Sequence, residues 1–324
     1  MNTQINKRIV SLDYLKFLGP LLITNSHFDS IYPMPIFATG GAIGDAIFFF
    51  ISGYTLNYSS NLTSFSKWYK RRLFRIFPTV FAVAIIHELI FGLERSIIGI
   101  ILNAGGWFVR CILLYYIMFF IIKKYIPNKT KLLTFSILVI SLLYIIFSSS
   151  IQQTGIYGGT YFKWFHFLLP FLLGMITFQN KIIFKKNILF PIILVISLVL
   201  FYLVQYLTLI NILHIKISSV VSLIMLQFLI LSLYYTVEIS LKKYSFLKSK
   251  KVNLVVYFIG GLALQIYLIQ DPIVDTGYSE SILINILINI IFILIGAYFT
   301  KVLANIISEK TITKSSFLVT PKRE

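Results

Sequence analysis

Ten apolar stretches, separated by short polar segments, run through the chain near residues 9–28, 42–60, 76–93, 107–122, 132–147, 162–179, 188–208, 217–238, 253–270 and 281–304. Each approaches the ~20 residues an α-helix needs to cross a hydrocarbon core. None shows the apolar–polar alternation of a barrel strand. The pattern predicts an all-α fold: a polytopic membrane protein of about ten transmembrane helices in residues 1–305, followed by a basic tail over 306–324.

The polar segments alternate in charge. Cations fill every second one: Lys7 and Arg8; Lys67, Lys70, Arg71, Arg72 and Arg75; Lys123, Lys124, Lys129 and Lys131; Lys181, Lys185 and Lys186; Lys242, Lys243, Lys248, Lys250 and Lys251; and Lys310, Lys314, Lys322 and Arg323 in the tail. The intervening segments hold almost no cations but carry Asp29, Asp271, Asp275 and Glu280. By the positive-inside rule both termini are expected in the cytoplasm.

Composition agrees. The chain is 58% hydrophobic and 12% charged, against about 25% charged in soluble domains. Its mean hydropathy is +0.87. A net charge of +18 would suggest nucleic acid in a soluble protein. Here topology accounts for it, so the expected contact is anionic lipid and not nucleic acid. The expected location is the cell (plasma or inner) membrane, as a multi-pass protein. The first stretch contains Asp13 and Lys16 and lacks a small-residue cleavage pattern, so it is not read as a cleaved signal. Cys111 is the single cysteine and lies within an apolar stretch, which excludes a disulfide framework. No soluble domain is apparent, so chemistry is expected within the helical bundle.

Lys16 and His27 are the most informative pair. Eleven residues apart, they fall within about 20° of one helix face and ~16 Å apart along its axis. Ionisable groups at membrane depth are costly and mark function by default. Topology sets Lys16 toward the cytoplasm and His27 at the outer end, so a cytosolic anionic donor held at Lys16 would present its reactive end to a histidine general base. The alternative is a snorkelling lysine and an interfacial histidine. Pro20 between them predicts a kink. Asp45 opens the second stretch at the same outer face. A carboxylate there can fix the imidazole tautomer, or simply start a helix. Ser52 and the neighbouring glycines suit close helix packing. Arg72 and Arg75 are three apart, and their guanidinium forks suit phosphate, although topology alone also requires cations there. His87 and Glu88 could extend a polar site or form a structural couple. Trp107 is placed as an interfacial anchor, and Arg110 needs a partner such as Glu88 or Asp45. His166 and His214 read as structural. No metal-ligand spacing, phosphate-cradling glycine loop or Gly-x-Ser-x-Gly elbow is present, so no metal site is expected.

These motifs resemble those of the acyltransferase-3 family of bacterial membrane acyltransferases. Arg8 to Lys16 followed by His27 is similar to its basic-residue-to-histidine opening. Asp45 to Tyr54 resembles its Phe-Phe-x-x-Ser-Gly-Phe segment, Arg72-Leu73-Phe74-Arg75 its Arg-x-x-Arg pair, and Gly106-Trp107-Phe108 its Trp-Phe. The resemblance covers essentially the whole chain. Two departures stand out: Lys16 where many members have Arg, and Gln270, within Ile266 to Pro272, where members often have His. The resemblance implies an O-acetyltransferase that moves an acyl group, most often acetyl, from cytosolic acyl-CoA to a hydroxyl of a surface polysaccharide or its lipid-linked precursor. It implies acetyl-CoA or another acyl-CoA as donor substrate, with no permanently bound cofactor. Lys16, Arg72 and Arg75 are then expected to hold the donor phosphates, His27 and Asp45 to carry catalysis, and Ser52, Glu88, Trp107 and Arg110 to support the site. The rival reading is a transporter or flippase of lipid-linked glycan, which predicts inverted repeats with paired broken helices.

Overall fold

The computed structural model describes residues 8–58, 62, 64–91, 99, 105–148, 162–180, 188–274 and 277–317. Of the cations and acids that set the expected topology, Lys7, Lys181, Lys185, Lys186, Asp275, Lys322 and Arg323 lie outside them. Among the described residues there are eleven α-helices and no strand: α1 Val10–Ser26, α2 Gly41–Leu56, α3 Phe65–Phe91, α4 Gly106–Tyr125, α5 Thr130–Phe147, α6 Phe162–Asn180, α7 Leu189–Leu209, α8 Ile215–Lys243, α9 Lys250–Gly260, α10 Ala263–Ile273 and α11 Ile282–Phe317.

A helix stands at each of the ten expected positions, the ninth being the pair α9 and α10. Five are long and apolar enough to cross a bilayer unaided: α4, α5, α7, α8 and α11. The bent pair α9–α10, which turns by 60°, makes a sixth if it is one span. α1 and α2 have 17 and 16 residues, and α3 and α6 carry charged and polar side chains within their lengths. The bend falls at Gly260-Gly261, where the second glycine caps α9. α11 runs on past residue 305 to Phe317.

The chain divides into two compact units. The first comprises Met1–Asn25, Thr39–Asn61 and Met118–Gly261. Its helices pack through backbone-close crossings. A Cβ on Gly53 would strike the Phe171 carbonyl of α6, and one on Gly174 the Phe50 carbonyl of α2, so each helix presents a glycine where the other presents backbone. Only small residues allow such an approach, the device membrane helices use to gain van der Waals contact where lipid supplies no hydrophobic drive. Gly40, with φ 104°, turns the chain into α2 against Leu22, and Asn25 Nδ2 donates to the Thr39 carbonyl at 2.9 Å, tying the end of α1 to the start of α2.

The second unit comprises Ser26–Ala38, Leu62–Ile117 and Leu262–Glu324. Here α3, α10 and α11 pack on one another. Gln265 Nε2 of α10 donates to Thr79 Oγ1 of α3 at 3.2 Å. Within α11, the buried Asn289 donates Nδ2 to the carbonyl and to Oδ1 of the buried Asn285 at 2.9 and 3.0 Å.

Candidate active site

In the second unit, His27 Nδ1 lies 2.9 Å from Asp271 Oδ1. His27 is the residue after α1, and the turn behind it is closed by the Ile31 and Tyr32 amides, both donating to the Phe28 carbonyl at 3.0 Å. Phe28 is 2% exposed and anchors that turn. Asp271 sits in the last turn of α10, a helix held by Gln265 against Thr79 and by Tyr267 against Phe108, with ring centroids 4.9 Å apart. Phe108 thus connects the Trp107-Phe108 motif to the helix that supplies the histidine's carboxylate. Both members of the couple face the open: the side chains are 37% (His27) and 73% (Asp271) exposed. A neutral imidazole that donates Nδ1–H to this carboxylate has Nε2 as its basic nitrogen, the arrangement of a general base held in one tautomer.

The sequence presents Asp271 only as one of several outer acidic residues. The signal that would have found it was topological, since His27 and Asp271 were both assigned to the outer face. Gln270, the position of departure from the family pattern, is 1% exposed and points away from solvent.

In the first unit, Lys16 belongs to a charged cluster at the start of α1. Asp13, with its side chain 11% exposed, accepts from Arg8 Nε at 2.5 Å and lies 3.7 Å from Lys16 Nζ. The Arg8 guanidinium covers the Tyr257 ring at 3.5 Å, and its hydrogen bond to Asp13 raises its pKa above the ordinary guanidinium value. Ser11 Oγ donates to Glu238 Oε1 at 2.5 Å, and Lys242 stands 3.9 Å from the same carboxylate. Tyr14 Oη donates to the Leu247 carbonyl at 2.6 Å, fixing α1 to the segment ahead of α9.

Arg72 and Arg75 lie in α3 ahead of its apolar stretch. Arg72 is half-buried over Trp68, 5.5 Å from the ring, while Arg75 is exposed. Burial, and then the neighbouring Arg75, lower the pKa of Arg72. An incoming anion would relieve that repulsion.

Asp45 and Ser52 lie in α2, half-buried, in the first unit. Trp107, Arg110 and Glu88 belong to the second. Arg110 is exposed and donates Nε to the Gly106 carbonyl of its own helix at 3.0 Å; Glu88 is half-buried near the end of α3. His214 caps α8, its Nδ1 accepting from the Lys216 amide at 3.3 Å. His166 is fully buried, edge-on to Phe162 at 4.8 Å. Among the described residues, no three His, Cys, Asp or Glu side chains gather as a metal-binding group.

Taken together, the helices define an all-α integral membrane protein. The chain matches the family described as an acyltransferase domain over residues 9–309. It belongs to that family, acyltransferase-3, and is a membrane acyltransferase. No curated protein and no solved structure matches it.

Proposed function

We propose that this acyltransferase moves an acyl group, acetyl in the first instance, from cytosolic acyl-CoA to a hydroxyl of a surface polysaccharide or its lipid-linked precursor. The observation that carries this reading is the His27–Asp271 couple at 2.9 Å, because acyl transfer to a hydroxyl needs a base that is neutral before the step and stabilised once protonated.

Asp271 holds the Nδ1–H of His27. Nε2 takes the proton from the acceptor hydroxyl as its oxygen attacks the thioester carbonyl carbon. The carbon–sulfur bond then breaks, and the departing CoA sulfur receives the proton from the imidazolium. One ester and one free CoA thiol result, and His27 returns to its starting state. Lys16 holds a donor phosphate at the cytoplasmic side, and Arg72 and Arg75 form a second cationic group for the same anion class. Asp45 is assigned to the catalytic group as an additional carboxylate at the outer face. Ser52, Glu88, Trp107 and Arg110 support the site.

The test is to supply radiolabelled acetyl-CoA to the cytoplasmic side of membrane vesicles containing the protein and follow label into alkali-labile esters on the opposite face. Label that appears with wild type and is lost with His27→Ala supports the reading. Free CoA release without ester, or no dependence on His27, refutes it.

A further inference from the structure

Asp13 is a nearly buried carboxylate with two cations in reach, and a buried charge must be paired. The two cations are not equivalent. Arg8 Nε makes a charge-assisted hydrogen bond at 2.5 Å, whereas Lys16 Nζ, at 3.7 Å, is beyond hydrogen-bond length. Arg8 is itself fixed from the other side by the Tyr257 ring at 3.5 Å. Glu238, the second carboxylate here, is taken up by Ser11 and Lys242. Lys16 is held to Asp13 only as a long ion pair, with its ammonium beyond hydrogen-bond length of the carboxylate. Its side chain is 38% exposed, and α9 packs closely on its base at Gly260, where a Cβ would come within 3.3 Å of Lys16 Cβ.

We infer that Arg8 is a positioning residue for anion binding: by holding Asp13, it keeps the Lys16 ammonium available to a phosphate of the donor. This rests on the acyl-CoA reading above. Without Arg8, the buried Asp13 turns to its remaining cation and occupies Lys16, so Arg8 acts on the donor without touching it.

The experiment uses the full-length protein in lipid nanodiscs with two readouts: acetyl-CoA binding, and the rate at which an amine-reactive reagent labels Lys16, followed by peptide mass spectrometry without any CoA. Arg8→Gln is expected to weaken acetyl-CoA binding about fivefold, the equivalent of the ~1 kcal/mol reached by partly exposed ion pairs, and to slow Lys16 labelling, since a paired ammonium yields less free amine. Arg8→Lys retains both properties. Arg8→Gln combined with Asp13→Asn recovers both, and Asp13→Asn alone binds acetyl-CoA at least as tightly as wild type. A double variant as weak as Arg8→Gln, or a single Arg8→Gln that changes neither readout, overturns the inference. Labelling that follows the expected order while acetyl-CoA binds to no form, wild type included, rejects the donor assignment and with it the proposed ligand, even though the charge arrangement holds.

Discussion

Replacing Asp271 with Asn keeps the shape of the side chain and removes the charge that faces His27. When His27 becomes an imidazolium during transfer, the lost interaction is that of opposite charges roughly 4 Å apart, about 1 kcal/mol in water and about 4 kcal/mol near a protein surface. These bracket a rate loss from roughly fivefold to several hundredfold. Asp271 is 73% exposed, so screening favours the lower half, and a loss of about 10- to 30-fold is expected. The same exposure means the pair contributes little to folding, so thermal unfolding of the purified variant should match wild type. The assay is the initial rate of ester labelling from radiolabelled acetyl-CoA at saturating donor, with protein amounts matched by quantitative blot. The loss should appear in the turnover rate, with the donor KM unchanged. A variant that inserts normally and turns over at the wild-type rate would refute the role of Asp271 and reduce the couple to a surface contact.

Further outcomes follow from the same geometry. His27→Ala should lower the transfer rate by about 10²–10⁴-fold, the usual contribution of a positioned base; full activity in that variant removes the mechanism. Lys16→Ala should raise the donor KM more than Lys16→Arg does, because both substitutions keep the helix but only one keeps a cation; equal effects argue against a charge role. Gly174→Val places a side chain against the Phe50 carbonyl and should cost about 1–3 kcal/mol through overpacking, read as a lower melting temperature, whereas an unchanged melting temperature would mean that α2 and α6 separate at little cost.

Hydropathy located the helices well because membrane burial imposes one requirement on all of them, an apolar run of near-bilayer length. It could not resolve the break at Gly260-Gly261, since the residues on both sides are apolar and continue one hydrophobic run. Nor could it mark the end of α11, because amphipathic residues after 305 continue a helix as readily as they form a tail. His27 and Lys16 stood out in the sequence because charge at membrane depth is costly wherever it occurs. Their partners were less visible. Asp271 lies 244 positions from His27, and no periodicity links them; only the packing of α10 on Phe108 and Thr79 presents it. Asp13 was legible as an unusual acid in the first stretch, but its preference for Arg8 over Lys16 is a matter of about one ångström.

The most direct measurement is the O-acyl content of the host's surface polysaccharide by mass spectrometry, comparing deletion, wild type and His27→Ala at matched protein levels. The account predicts loss of one acyl mass from the glycan in both the deletion and the His27→Ala strain, with the glycan itself retained. An acylated glycan in all three strains, or disappearance of the glycan without any change in its acylation, would contradict it, the latter pointing to movement of the lipid-linked precursor.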